Sequence, residues 1–316
     1  MKKFLCFLLM LVMCVSFVAC NDKKKGTSDN EKSSSEKADI ANDADRITVE
    51  PKIEAYITAL GLKSDGTVVE LSGYKDELEW TSIIDIAVSN DGCIGLKNDG
   101  TVVFTDGFDD ETKAEMEKWK DIVDITAFDV GGPLALKADG TIAVLPSTPN
   151  ADDYRKWTDI VAIDGGSVHS LGLKKDGTCV AGKCGMFEVG QGNVGGWTDI
   201  KAVAAGTTHS VGLKKDGTVV ATGENNNGEC NVAEWNDIVD ICASIGVTIG
   251  LKSDGTVVGC GDDTYGLSEI SSWTDIEKIG IGFQVVIGMK NDGTIVVAGD
   301  GAEGMKEGLA DLDLIP

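Results

Sequence analysis

The sequence predicts an all-β fold, a seven-bladed β-propeller of ~38-residue repeats, from three observations. The hexapeptide [LM]-K-x-D-G-T occurs seven times, with spacings of 34, 40, 37, 40, 38 and 38 residues between its aspartates. All six tryptophans stand at one position of the repeat. Short runs of alternating apolar and polar residues, rich in β-branched side chains, flank each hexapeptide as the strands of a small sheet do.

Each Asp-Gly pair is predicted to form a hairpin turn, because glycine adopts a positive φ without strain and aspartate hydrogen-bonds its own backbone. The strand before the turn is exemplified by residues 209–213, the strand after it by residues 218–222, and a third strand upstream by residues 199–206. Segments such as residues 229–233 are expected to form a short fourth, outer strand. The turn glycines are Gly66, Gly100, Gly140, Gly177, Gly217, Gly255 and Gly293.

The tryptophans confirm the register of the repeat. Five of them begin W-x-D-I, and the C terminus holds a degenerate copy of that motif at residues 309–312. The first turn lacks this preceding strand in good form. We therefore expect residues 311–315 to pair into the same blade as residues 53–71, closing the ring and removing its unpaired edges. The tryptophans are Trp80, Trp119, Trp157, Trp197, Trp235 and Trp273.

The N-terminus reads as a targeting segment, and residues 1–19 are predicted to be a lipoprotein signal peptide. Two lysines precede an apolar run, residues 4–18, which is too short to span a bilayer comfortably as a mature helix. The run ends in Phe-Val-Ala-Cys, an order that resembles a bacterial lipoprotein cleavage site with Cys20 as the lipidated residue. The alternative is an ordinary secretory signal in which Cys20 is incidental.

Three segments follow from this interpretation. Cys20 and the aromatic-free residues 21–46 form a lipidated, flexible tether, and residues 47–316 form the propeller. The lipid on Cys20 would hold the chain on the outer, extracytoplasmic face of a bacterial cell membrane.

The charge of the chain excludes one class of partner and favours another. With 28 Lys+Arg against 52 Asp+Glu the formal net charge is −24, and residues 47–316 carry all of it. A nucleic acid partner is not expected, because phosphate binding needs a basic surface. A protein or cell-surface partner with a basic patch is favoured, because complementary potentials speed association.

One stretch carries a family resemblance: GTTHSVGLKKDGT at residues 206–218, continued by GENNNGEC at 223–230 and WNDI at 235–238. It resembles the regulator-of-chromosome-condensation repeats in their short bacterial form, and the likeness covers residues 47–316. The resemblance implies a seven-bladed propeller. The chromosomal member of the family promotes nucleotide exchange on a small GTPase while bound to chromatin. We do not expect that activity here, because this chain is acidic and targeted as a lipoprotein.

Candidate catalytic and metal-binding groups are sparse, and no catalytic residue, metal site or cofactor is predicted. His169 and His209 share the pattern G-x-x-H-S, but other repeats have no histidine there, which favours hydrogen bonding within a blade. The six propeller cysteines allow 15 pairings. They fall at different repeat positions, which favours small apolar packing over a disulfide framework. Asp262-Asp263 and residues 109–111 are acidic spots, interpreted as solvated loops rather than weak cation sites.

The connections that lead from each blade to the next tryptophan vary, while the rest of the repeat does not. Variable loops on a rigid scaffold carry recognition, and aromatic side chains are enriched among interface hot spots. The alternative is that these rings merely cap the outer edges of the blades. The candidate binding residues are Tyr74, Phe108, Tyr154, Phe187 and Tyr265.

The leading hypothesis is a surface-anchored, non-enzymatic propeller that binds another protein, or a cell-wall polymer, through these loops. Two alternatives stay open. The first is an inhibitor of an extracellular enzyme, a role that resembles what a secreted β-lactamase inhibitor of this propeller type does. A glycan-active enzyme is the less favoured alternative, because no catalytic motif is present.

Overall fold

The computed structural model describes residues 52–55, 59–63, 65–70, 78–89, 91–128, 131–183, 187–282, 284–300 and 302. Within these residues the chain forms 21 strands and a few short helices, so the all-β prediction is confirmed. The signal peptide, the tether with Cys20, Tyr74 and the C-terminal residues 311–315 lie outside the described residues. No helix within the described ranges is both long and apolar enough to cross a bilayer.

The strands form seven three-stranded sheets, numbered here 1 to 7 along the chain. Each sheet is an antiparallel meander of three consecutive strands. The strands are β1 Lys52–Ala55, β2 Ala59–Leu62, β3 Val68–Glu70, β4 Ile83–Val88, β5 Cys93–Lys97, β6 Val102–Phe104, β7 Ile122–Phe128, β8 Gly132–Lys137, β9 Ile142–Val144, β10 Ile160–Gly165, β11 His169–Lys174, β12 Cys179–Lys183, β13 Ile200–Ala205, β14 His209–Lys214, β15 Val219–Gly223, β16 Ile238–Ser244, β17 Val247–Lys252, β18 Val257–Gly261, β19 Ile276–Gly282, β20 Val285–Lys290 and β21 Ile295–Ala298.

Three short α-helices lie in the connections between sheets: α1 Asp110–Met116, α2 Ala151–Tyr154 and α3 Leu267–Ile270. The helix-forming residues around Ala114 and Glu115 predict the first of them. Its N-cap is Asp109, whose carboxylate accepts a hydrogen bond from the amide of Thr112 at 2.7 Å. The predicted fourth strand is wrong, since residues 229–233 form turns that lead to the next sheet.

The first strand of each sheet lies in the innermost layer, because it contacts the first strands of the sheets before and after it. β1 contacts β4 on one side and β19 of sheet 7 on the other. β1 also pairs with β2 in the register Lys52↔Leu62 to Ala55↔Ala59. The inner position of sheet 1, which the sequence pattern leaves unfilled, is therefore occupied by β1. The pairing expected for residues 311–315 stays a prediction.

The seven Asp-Gly turns are confirmed, since all seven glycines have φ between 78° and 84°. In sheet 5 the Asp216 carboxylate accepts hydrogen bonds from the Thr218 amide at 2.9 Å and the Thr218 hydroxyl at 2.7 Å. These two bonds, the hydroxyl first, hold the pKa of Asp216 below its ordinary value. Aspartate and threonine are thus required together with glycine to close the turn.

The W-x-D-I motif joins neighbouring sheets at the end of each sheet that carries the Asp-Gly turn, which we call the turn end. Asp237 adopts a left-handed conformation with φ 59°, which turns the chain into β16. The next amide, of Ile238, donates to the carbonyl of Gly217 in the turn of sheet 5 at 3.0 Å. The carbonyl of Asp237 accepts from Ser253, in the turn of its own sheet, at 2.9 Å. The same bond from the isoleucine to the turn glycine recurs at all six joints between consecutive sheets, of which the first has Ser82 in place of the aspartate.

The tryptophans pack on a glycine in the middle strand of the sheet that follows them. A Cβ atom on Gly212 would lie 2.9 Å from the Trp197 ring, and the same close approach recurs at four other tryptophans. In sheet 3 the corresponding residue is Ala135, which shares a buried cluster with Trp119. Each indole thus covers the middle strand at a position where a glycine or an alanine leaves room for the ring.

Candidate functional site

Of the five candidate aromatic residues, Tyr74 lies outside the described residues, and the structure separates the other four into buried and exposed ones. Phe108, Tyr154 and Tyr265 are at most 4% exposed, so the prediction that they are surface anchors is wrong. Their rings fill the core beside residues that lack bulk, as Tyr154 does against Gly182. Phe187 is 55% exposed.

Hydrogen bonds account for the hydroxyl groups of the two buried tyrosines. Tyr154 accepts from the Ser170 hydroxyl at 2.9 Å, and Tyr265 lies 3.4 Å from the Ser244 hydroxyl. Burial raises the pKa of Tyr265 to about 12. These two residues cap the sheets, which is the alternative interpretation of the loop aromatics.

The two histidines bridge neighbouring sheets, which corrects the expectation of bonding within one blade. His169 Nε2 of sheet 4 lies 2.8 Å from the Ser210 hydroxyl of sheet 5, and His209 Nε2 lies 2.9 Å from the Thr248 hydroxyl of sheet 6. Each hydroxyl donates its own hydrogen onward to a loop carbonyl, so each imidazole donates through Nε2. Burial lowers the pKa of His169 to about 3 and that of His209 to about 4.

The carbonyl that accepts from Ser210 belongs to Gln191, and this residue organises the loop that carries Phe187. The Gln191 side chain is 1% exposed. Its Oε1 accepts from the amide of Val189 at 2.9 Å, and its Nε2 donates to the carbonyl of Phe187 at 2.7 Å. The Phe187 loop (residues 187–193) is thus held by the side-chain amide of Gln191, while the main-chain carbonyl of the same residue is tied to His169 through Ser210.

The following connection, the Asn225 loop (residues 225–231), is built on the same skeleton. The buried side chain of Glu229 accepts from the amide of Asn227 at 2.8 Å, and its carbonyl accepts from Thr248. Gly190 and Gly228 precede Gln191 and Glu229 with φ 95° and 90°. The two loops differ in what they present to solvent.

Sequence reasoning missed Gln191 and Glu229, although a signal for them is present. Both loops contain the pattern G-[QE]-x-N, as Gly-Gln-Gly-Asn at 190–193 and Gly-Glu-Cys-Asn at 228–231. The last position of the pattern closes the turn, since its main-chain N–H donates to the carbonyl of Gly190 or Gly228. A search for short matches between the variable connections would have found this loop skeleton.

The described cysteines are thiols that form no disulfide bonds: Cys93, Cys179, Cys230, Cys242 and Cys260. Three of them are buried, and each of these three packs in a hydrophobic cluster. Burial raises the pKa of Cys179 to about 12, so this thiol stays protonated. The arrangement agrees with cysteine as a small packing residue.

The acidic spots have structural roles at the ends of short helices. Asp109 caps α1, and Asp262 accepts from the Thr264 amide at 3.0 Å at the start of the 3₁₀ helix Asp263–Tyr265. Across the described part of the chain, no three metal-ligating side chains come together in a group that could hold an ion.

An all-β chain of three-stranded meanders arranged side by side defines a propeller-like class of protein, and comparisons with known proteins agree. Residues 200–229 match the model of the Regulator of chromosome condensation (RCC1) repeat. This match confirms the resemblance noted for the fifth repeat and shows that the chain contains an RCC1-type repeat. None of the curated proteins compared with the chain matches it.

Two solved structures show the fold. Prp20p from Saccharomyces cerevisiae, described with its binding to Gsp1p and histones, has 18% identity and a TM-score of 0.53, covering 73% of this chain and 74% of its own. Yeast RCC1 (Prp20) bound to Kap60 has 17% identity and a TM-score of 0.55, covering 92% of this chain and 89% of its own. The chain therefore has an RCC1-like propeller fold.

Proposed function

We propose that this chain is a non-enzymatic binding protein that recognises a protein partner through loops on a propeller scaffold. One observation carries the proposal: the sheets repeat nearly unchanged, while the Phe187 and Asn225 loops present different residues on one shared skeleton. Rigid scaffolds with variable loops are built for recognition. The yeast proteins bind Gsp1p, histones and Kap60, all of which are proteins, and this supports a protein partner here.

The proposal includes a closed ring in which sheets 1 to 7 are the seven blades. Contact between β1 of sheet 1 and β19 of sheet 7 supports it. In this arrangement residues 311–315 add a further strand to the first blade. Deleting residues 308–316 should then lower the melting temperature sharply in a thermal unfolding experiment. A melting temperature equal to that of the full chain would contradict the role of the C terminus.

We further propose that a lipid on Cys20 displays the propeller on the outer face of a bacterial membrane. The support is the sequence pattern of residues 1–20. The test is metabolic labelling with a clickable fatty acid in cells that make the full chain. Wild type should be labelled and sediment with membranes, whereas Cys20→Ser should be unlabelled. Equal labelling of both chains would contradict the assignment.

The net charge of −24 favours a partner with a basic patch. The experiment is capture of extracytoplasmic proteins from the producing cells with immobilised full chain, at rising salt. The association rate for the captured partner should fall as salt rises from low to physiological concentration, because screening shortens the reach of surface charges. Failure to capture any protein, by this method and by crosslinking in cells, would overturn the proposed function.

A further inference from the structure

The structure distinguishes two kinds of exposed apolar residue. Among the described residues the large apolar side chains classed as exposed are Val123, Val161, Phe187, Val189 and Val239. Three of these valines share one repeat position, directly after the isoleucine of W-x-D-I, and lie at the turn end of different sheets. Phe187 and Val189 instead lie two residues apart on one loop, 55% and 46% exposed. We call these two residues the apolar pair.

The comparison with the Asn225 loop shows that the skeleton does not need the apolar pair. When the buried Gln191 and Glu229 are aligned, Phe187 takes the place of Asn225 and Val189 the place of Asn227. The Asn225 side chain helps to hold its own loop, since it accepts from the Cys230 amide at 2.8 Å and donates to the Asn231 side chain at 3.2 Å. Phenylalanine makes neither hydrogen bond.

Gln191 compensates for this loss. A glutamate at this position only accepts hydrogen bonds when ionised, whereas the Gln191 amide also donates to the Phe187 carbonyl at 2.7 Å. The main chain at residue 187 is therefore held by Gln191, and the Phe187 side chain is released from any part in fixing the loop. Phe187, which takes the place of the asparagine that stabilises the Asn225 loop, is thus free to serve another purpose.

Two features at Phe187 oppose stability. Its φ is 54°, a left-handed conformation that bulky residues rarely adopt. Its ring is more exposed than buried. Strained, exposed and apolar residues that the surrounding structure holds in place mark sites of interaction. The exposed residue beside them, Glu188, forms an ion pair with Lys183 at 2.7 Å, which leaves the apolar pair bordered by a neutralised charge.

We propose that the apolar pair, Phe187 and Val189, is the anchor by which this chain binds its protein partner, and that Gln191 is the positioning residue that presents it. This proposal rests on the proposed function. The partner offers an apolar pocket that receives the Phe187 ring, with basic side chains around that pocket to match the acidic chain. A convex aromatic residue on a held loop fits a concave surface, so the partner is a folded protein with a cleft.

The test uses the full chain and the captured partner, with binding measured by calorimetry at fixed salt. Phe187→Ala should weaken binding at least tenfold with no change in melting temperature, because the ring is exposed. Val123→Ala is the matched control: it removes a 51% exposed apolar side chain at the turn end and should change affinity less than twofold. Wild-type affinity for Phe187→Ala, with partner binding intact, would overturn the anchor and leave the proposed function standing.

Gln191→Glu tests the positioning role, because it keeps the shape and the bond from the Val189 amide but removes the donor to the Phe187 carbonyl. Binding should weaken several-fold, and the double variant with Phe187→Ala should bind no worse than Phe187→Ala alone. The control, Glu277→Gln at an exposed position of β19 at the turn end, should leave affinity unchanged. Additive losses in the double variant would show that Gln191 does not act through Phe187.

A photo-crosslinking residue at position 187 gives an independent readout in cells. A benzophenone amino acid there should crosslink to the partner, whereas the same residue at position 239, at the turn end, should not. Equal crosslinking at both positions would contradict the anchor. No crosslink at either position and no captured protein would remove the proposed function together with the anchor.

Discussion

The two ends of the sheets are joined in different ways. At the turn end, residues common to nearly all repeats join neighbouring sheets through main-chain bonds, such as that from Ile238 to Gly217. At the opposite end, where the Phe187 and Asn225 loops begin, the joints use side chains that occur in few repeats, such as His209 with Thr248. The difference shows that the repeated sequence specifies assembly at one end and leaves the other free to vary.

The largest effect is expected from Trp197→Ala, next to a turn-end joint. The indole is 9% exposed and packs on Gly212, so its removal leaves a cavity in the core. The free energy of unfolding should fall by about 3–5 kcal/mol. Denaturant unfolding measures this, with Trp197→Phe as the milder control. A loss no larger than that caused by His209→Val would contradict the expectation that the turn end contributes more to stability than the opposite end.

An intermediate effect is expected from His209→Val, which places at the loop end the residue that sheets 6 and 7 have there. The Thr248 hydroxyl then loses its donor, and the free energy of unfolding should fall by about 1–3 kcal/mol. A double-mutant cycle with Thr248→Val should show coupling between the two residues. If the losses of unfolding free energy in the two single variants simply add in the double variant, the hydrogen bond between His209 and Thr248 does not contribute to stability.

The same variant should change the pH dependence of stability. Burial lowers the pKa of His209 to about 4, so the unfolded chain binds this proton first as the pH falls below 6.5. Stability supplied by the neutral histidine is present above pH 6.5 and is lost as the pH falls toward 4. The loss over this window should be smaller in His209→Val than in wild type. Equal slopes would argue against the buried, neutral state.

The smallest effect is expected from Gly217→Ala, which acts on one turn. A Cβ atom there meets only ordinary contacts, the nearest at 3.4 Å, but φ 84° strains alanine by about 1–2 kcal/mol. The control is Gly195→Ala in a loop with nothing within 4 Å, where the substitution should stabilise the chain slightly. Opposite signs for the two glycines in thermal unfolding would sharpen the contrast between the ends.

The parts of the fold predicted from the sequence are those governed by local chemistry. The Asp-Gly turns follow from the backbone freedom of glycine, and α1 follows from its helix-forming residues. The first strand of sheet 1 escaped detection, because residues 52–55 hold the inner position with no W-x-D-I motif before them. Its hairpin partner β2 follows directly in the sequence, but its neighbour β19 is distant in sequence, and that contact is a property of the whole arrangement.

The site was only partly predictable, for a physical reason. Tyr154 and Phe187 both lie in variable connections, and composition does not distinguish them. What buries Tyr154 is the space above Gly182, and what exposes Phe187 is a loop held by Gln191. Whether each ring is buried or exposed depends on residues from other parts of the chain, and the local sequence around the ring does not contain that information.

The joint at Gly217, Asp237 and Ser253 has a consequence for how such a chain grows. The turn glycine of one repeat offers a carbonyl that accepts a hydrogen bond from the next repeat. The left-handed aspartate of that next repeat turns the chain so that the following amide donates this bond. A duplicated or deleted repeat would therefore leave the remaining joints between consecutive sheets chemically complete and alter only the number of sheets in the array. Gain or loss of a whole repeat should thus cost this architecture little stability. An insertion or deletion of a few residues within one repeat would instead break two joints at once.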